Sequence, residues 1–192
     1  MPPLTILSEA EKKFLLQLAR DVISTMVKNE NYESPEFYSE TLKKEFGVFV
    51  TLHKNGELRG CIGYVEGIRP LQTAVEDMAL SAAFKDPRFP AVTAEELNAI
   101  EVEISILSPL QEIRDIKEIE VGTHGLLIEK DYFRGLLLPQ VAVEHHWDKE
   151  TFLKYTCSKA GLPSDAWKDA STKIKIFSAE IFSESDYHLR IV

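Results

Sequence analysis

The sequence predicts an α+β fold with a mainly antiparallel sheet flanked by helices, and three observations carry the prediction. Helix-period and strand-period segments are mixed without a regular βαβ alternation. The strand-period segments come as hairpins, most plainly at the Asn55-Gly56 turn pair. The chain of 192 residues is 44% hydrophobic and 28% charged, enough apolar material for the core of one domain, or of a domain with a small appendage.

The elements follow in order. Ser8-Glu9-Ala10-Glu11 reads as a capping box, and Phe14, Leu15, Leu18, Val22 and Met26 recur on one face of the helix it opens. Residues 30–46 are polar, with Ser34-Pro35 as a candidate helix start. Val48 to His53 is apolar and β-branched, and Lys54-Asn55-Gly56-Glu57 turns it back into a second strand, Leu58 to Val65. That turn places Cys61 opposite Val50 and Arg59 opposite Leu52. Pro70 opens a helix carrying Leu71, Ala74, Val75, Met78 and Ala82 at helical spacing. The two prolines of Asp86-Pro87-Arg88-Phe89-Pro90 end it and stiffen the loop. Thr93-Ala94-Glu95-Glu96 is a second capping box, for one short turn. Ile100, Val102, Ile104 and Ile106 then alternate with Glu101, Glu103 and Ser105, the pattern of a half-exposed strand. His124 to Glu129 and Phe133 to Leu138 form a hairpin about Lys130-Asp131-Tyr132. Asp148 caps a helix running to Ala160, with Gly161 at the αL position and Pro163 after it. Ile174 to Phe182 is the last strand.

Charge and cysteine usage narrow the function classes. The 22 basic and 31 acidic residues leave a net charge of −9, which argues against salt-driven nucleic-acid binding and against an anionic membrane surface. The acidity is uneven: Glu95 to Glu120 holds eight acids and two bases, whereas Thr51 to Pro90 holds five of each. An anion-binding pocket near the glycine-rich hairpin is compatible with that distribution. Met1-Pro2-Pro3-Leu4-Thr5 has no basic n-region, and no apolar run is long enough to span a membrane. Two cysteines, Cys61 and Cys157, lack metal-site spacing, so reduced thiols and a cytoplasmic location are expected and no metal site is assigned.

Leu58-Arg59-Gly60-Cys61-Ile62-Gly63 is the most unusual segment. Gly60 and Gly63 cost β-propensity, and such glycines mark close approach by a ligand or another backbone. Alternation would put Arg59 and Cys61 on one face, roughly 6–7 Å apart, where a guanidinium could lower the thiol pKa. Against a nucleophile stands the frequency with which free cysteine is simply packed. Arg59, on an apolar face, then needs a carboxylate, a solvent opening or an anionic ligand. Asp86 and Arg88 are either a rigid presenting pair or a helix stop with a surface ion pair. Arg134 is either a strand-edge charge or a further cation for an anionic group, and Gln140 could orient a ligand. Among five histidines, His124 is the candidate acid or base, because Gly125 leaves room beside it. Glu144-His145-His146 would point to opposite sides of an extended chain and so is not assigned as a metal site.

These blocks resemble the AMMECR family. The resemblance rests on Leu58 to Gly63, on Val48-Phe49-Val50-Thr51-Leu52, and on Asp86 to Pro90. It continues through Glu103-Ile104-Ser105-Ile106-Leu107-Ser108-Pro109, His124-Gly125-Leu126, Arg134 to Ala142 and Lys159 to Pro163, nearly end to end. It implies one domain over residues 1–192, α+β, with a larger sheet-and-helix part and a smaller subdomain packed on it. The family has no settled activity; its signature is taken to mark a functional cleft. Roles in transcription, replication, repair or translation are proposed for it, and some relatives resemble partners of Memo-like and radical-SAM proteins.

Two hypotheses follow, with cofactor and substrate unassigned. In the first, Cys61 is a nucleophile or redox group, His124 carries protons, and Arg59, Arg88 and Arg134 clamp an anion. In the second, the same cluster, with Gly60, Gly63, Asp86 and Gln140, binds a small anionic ligand or a partner protein without catalysis. A nucleic-acid partner is a weaker third reading.

Overall fold

A computed structural model describes residues 6–189; the reading of Met1 to Thr5 lies outside the described residues. In chain order the elements are α1 (Glu9–Lys28), β1 (Gly47–Lys54), β2 (Glu57–Tyr64), α2 (Leu71–Phe84), β3 (Ile100–Leu107), β4 (Gln111–Ile113), β5 (Gly125–Lys130), β6 (Phe133–Leu137), α3 (Pro139–Glu144), α4 (Lys149–Lys159), β7 (Lys173–Phe177) and β8 (Ala179–Ser183), with short 3-10 turns between some of them. They form two four-stranded sheets, β2-β1-β3-β8 and β4-β7-β5-β6, and all the described strand pairs are antiparallel. The fold class is therefore α+β. The chain divides into two compact units, one made of the residues up to Leu107 with those from Glu180 on, the other of Ser108–Ala179.

In the first unit α1 and α2 pack together and on the sheet. Val48, Val50 and Leu52 of β1 and Val102, Ile104 and Ile106 of β3 are fully buried in one core with Leu15, Leu18, Ala19 and Val22 of α1 and Leu71, Ala74 and Val75 of α2. Each buried Leu, Ile or Val contributes about 1.5–3 kcal/mol. The α1 capping box is made as the sequence predicts: Ser8 Oγ accepts from the Glu11 N–H, and the Glu11 carboxylate accepts from the Ser8 N–H. The buried face is centred on Leu15, Leu18, Ala19, Val22 and Ile23; Met26, placed on it by periodicity, is half-exposed next to the Asn29 C-cap. No helix starts at Ser34-Pro35. The Ser34 hydroxyl donates to Glu76, and Gln72 donates to Ser34 Oγ and the Pro35 carbonyl, so α2 holds the segment in an irregular path. Phe37 stacks on Phe14 with ring centroids 4.4 Å apart.

The second unit buries Leu126, Ile128, Phe152, Leu153, Cys157 and Ile176. Gly135 of β6 is where α4 closes on the sheet: a Cβ there would lie 2.3 Å from the Ala160 nitrogen. The segment expected as one strand from Ile174 to Phe182 is two. It breaks at Ser178, whose N–H donates to Ser108 Oγ while its carbonyl accepts from the Ser108 N–H, and β7 and β8 join different sheets. Glu144-His145-His146 is not extended: it is the end of α3, with His146 at φ +52°. Among the described residues no helix is long and apolar enough to cross a membrane.

Candidate functional site

The β1–β2 hairpin begins as its turn dictates. Asn55 and Gly56 both have positive φ, 55° and 83°, the two-residue turn that suits the twist of the strands. Lys54 faces Glu57 and His53 faces Leu58. The register then shifts, and Leu52 faces Gly60, leaving Arg59 as the extra residue of a β-bulge. This corrects the expected pairing: Cys61 lies opposite Thr51, not Val50, and Arg59 has no cross-strand partner. The slip moves Cys61 off the row of Val48, Val50 and Leu52 that faces the helices. Gly60 takes the helix side instead, where a Cβ would lie 2.3 Å from the Ala82 carbonyl oxygen of α2. On the other face the Phe49 ring fills the space beside Gly63, 2.3 Å from where a Cβ would be. The room at both glycines is thus occupied by the protein's own backbone and ring.

Arg59, 7% exposed, finds the carboxylate that its burial demands. Its Nε and Nη2 donate to Glu96 at 3.0 and 2.9 Å, and its Nη1 is buried without an acceptor among the described residues. Glu96 also accepts from Lys54 Nζ and from the Thr93 N–H, so the capping residue read from the sequence is the partner of both cations. Hydrogen bonds from Arg59 and then Lys54 hold the Glu96 carboxyl down at about 2.

β2 is an edge strand, and the Asp86–Phe89 turn closes its edge. Asp86 Oδ2 accepts the Cys61 N–H at 2.9 Å, and Arg88 Nη2 reaches the Cys61 carbonyl at 3.3 Å. Arg88 Nε and Nη2 grip Asp86 at 2.9 and 2.6 Å. One carboxylate and one guanidinium so replace a neighbouring strand at Cys61. The Asp86 side chain is almost wholly buried, whereas that of Arg88 is 49% exposed. The Arg88 and Arg59 guanidinium carbons lie 5.4 and 5.9 Å from the centre of the Phe89 ring. Thr51 Oγ1 donates to Cys61 Sγ at 3.3 Å. Burial pushes the Cys61 thiol up, outweighing the Thr51 hydrogen bond and the Arg88 charge that favour the thiolate. The arrangement offers a half-exposed, doubly anchored guanidinium and a protonated sulfur.

Arg88 first, then the Cys61 N–H, hold the Asp86 carboxyl far below its usual range. A depressed carboxyl contributes stability that is present above its unfolded value, near 3.8 for Asp86 and 4.5 for Glu96, and is lost as pH falls toward the folded value. Urea midpoints measured from about pH 5 to about pH 2.5 should fall more steeply for the parent protein than for Asp86→Asn or Glu96→Gln. Parallel curves would remove the linkage.

The remaining predicted residues lie in the second unit. His124 is half-buried, its Nδ1 accepting from the Glu120 N–H at 3.1 Å. Gly125 does not give it room, because the Phe177 ring would lie 2.3 Å from a Cβ there. Arg134 Nε pairs with Glu129 at 2.8 Å, and Glu129 also holds Lys175. Gln140 opens α3, its Oε1 buried without a donor among the described residues. Of the residues singled out in the sequence, Arg59, Cys61, Asp86 and Arg88 lie together about the β2 edge, with Glu96, Phe89 and Thr51, to which the sequence reading gave no role at this site. Glu96 was visible only as a cap, and Thr51 faces Cys61 only because of the bulge. Among the described residues no group of three or more His, Cys, Asp or Glu could hold a metal ion.

The chain is 45% identical over 185 residues to a protein of Methanothermobacter thermautotrophicus, covering 93% of this chain and 96% of that one. It is 46% identical over 187 residues to Protein MJ0810 of Methanocaldococcus jannaschii, covering 93% and 92%. The fold is similar to the crystal structure of the uncharacterized protein PH0010 from Pyrococcus horikoshii, with a TM-score of 0.89, 42% identity and coverage of 93% and 94%. The AMMECR1 family model matches residues 16–182, taking in the bulged signature strand, the Asp86–Phe89 turn and both sheets, and the chain belongs to the AMMECR1 family.

Proposed function

We propose that this chain is a recognition module, one AMMECR-type domain acting in the cytoplasm, whose contact element is the Asp86–Phe89 turn seated on the Cys61 edge. Arg88 presents its guanidinium to an anionic group of a small ligand or a partner protein. The observation that carries this reading is the exposure of Arg88: its guanidinium is fixed by Asp86 and the Cys61 carbonyl, yet half of the side chain faces solvent. A guanidinium held in one orientation binds a carboxylate or phosphate with little ordering cost. The alternative of thiol chemistry draws on the same strand, but a sulfur kept protonated by burial is a poor nucleophile at neutral pH.

Titration of the protein with inorganic phosphate, and separately with a tri-glutamate peptide, tests the reading through the Arg88 Nε–H and Phe89 NMR signals. Both signals should move saturably with at least one of the two probes. Arg88→Ala should weaken binding by about tenfold or more, equivalent to about 1.4 kcal/mol, while Cys61→Ser should leave it within about twofold. Signals that stay in place with both probes would end the reading. In the same protein, alkylation of Cys61 by iodoacetamide at neutral pH should be at least about tenfold slower than in urea. Rapid modification of the folded protein would restore the thiol hypothesis.

A further inference from the structure

The second unit carries a groove that the signature strand does not explain. The β4–β7 ladder stops at the Ile113–Ile174 pair, while the chain runs on to Ile116 from one strand and back to Trp167 from the other. Between the diverging segments lies a concavity of about 1100 Å³. That is somewhat above the range of small-molecule sites, about 300–1,000 Å³, so a small ligand would fill only part of it.

Its polar lining is unequally committed. Of the acids, Asp169 accepts from Lys130 and from the Ser171 N–H and hydroxyl, and Asp115 accepts from the Lys117 N–H. Of the cations, Arg114, Lys168 and Lys173 have no carboxylate partner among the described residues. Lys168 Nζ lies 5.2 Å from the Trp167 ring centre instead. Glu112 and Asp115, the latter holding only a backbone N–H, are left to balance three cations. The Trp167 indole N–H is buried with no acceptor among the described residues, and an unmade buried donor costs about 1–3 kcal/mol. Donors in excess, an uncommitted positive charge and an unsatisfied N–H in one groove are the features of an oxyanion site.

We infer that this groove binds a small organic anion, whose carboxylate or phosphate sits among Arg114, Lys168 and Lys173 and accepts from the Trp167 indole. The indole N–H faces no open solvent, so reaching it takes a small shift of the 167–173 loop. Binding therefore reports on Trp167 itself.

The test is the indole N–H proton signal of Trp167, assigned by its loss in Trp167→Phe and its persistence in Trp147→Phe. The full chain is titrated with sodium citrate and with inorganic phosphate against sodium chloride at matched ionic strength. A saturable downfield shift is expected with at least one of them, its midpoint raised by about tenfold or more in Lys168→Ala/Lys173→Ala. A response to citrate alone assigns a carboxylate ligand; a response to phosphate alone assigns a phosphoryl ligand. A signal that follows chloride in every titration, or an unchanged midpoint in the double variant, overturns the inference. Arg88 lies in the other unit, and its signals read out the two sites separately.

Discussion

Replacing Glu184 by alanine is expected to destabilise the protein by about 3–5 kcal/mol, because it strands a buried guanidinium. Arg20 and Glu184 are 7% and 6% exposed. Arg20 Nε donates to Glu184 at 2.8 Å, and its Nη1 and Nη2 donate to the Leu97 and Ile100 carbonyls at 2.9 and 2.7 Å. Glu184 also accepts the Val102 N–H at 2.8 Å. Every strong group in the network has a partner, so removing the carboxylate leaves an uncompensated charge and an unpaired N–H of β3 together. With urea slopes of about 1–3 kcal/mol per M, the midpoint should drop by more than about 1 M. Removing both charges in Arg20→Met/Glu184→Leu should cost less than the single change, since the apolar pair needs no counter-ion. A single-variant loss below about 1 kcal/mol would show that water reaches the guanidinium and that the pair is dispensable.

Gly60→Val should be the most damaging substitution in the signature strand. A Cβ at that position falls 2.3 Å from the Ala82 carbonyl oxygen, far inside van der Waals contact, and the obstacle is helix backbone that no rotamer change can clear. Overpacking of this kind costs about 1–3 kcal/mol and occasionally more. Gly60→Ala should show a smaller loss in the same direction. Thermal unfolding by circular dichroism checks both; a Gly60→Val protein as stable as the parent would mean that α2 does not rest on β2 at this point.

Local rules carried much of the fold. The boxes at Ser8 and Thr93, the Asn55-Gly56 turn, the Asp148 cap and the alternation from Ile100 to Ile106 each depend on neighbours within a few residues, and each stands where the sequence puts it. What escaped depends on tertiary partners. The bulge at Arg59 is favoured by a carboxylate 37 positions away, and no periodicity contains that information. The path of residues 30–46 is set by Glu76, Gln72 and Phe14. The break at Ser178 comes from Ser108, which is invisible to a reading of Ile174 to Phe182 as one alternating run. At the candidate site Arg59 and Cys61 stood out by the glycines around them and Asp86 and Arg88 by the flanking prolines, but that the two segments meet rests on contacts 25 and 27 positions apart. Their electrostatic roles were not legible either, because Glu96 neutralises Arg59 and the Asp86 carboxylate binds a main-chain N–H.

The order β2-β1-β3-β8 has a consequence during synthesis on the ribosome. β3 has emerged by Leu107, but its outer neighbour begins at Ala179, so more than seventy residues are translated while that side of β3 stands open. A nascent chain with such an unprotected edge is vulnerable to pairing with another polypeptide. Glu101 and Glu103, on alternate positions of that strand, add charge that discourages such misassembly until the last strand arrives.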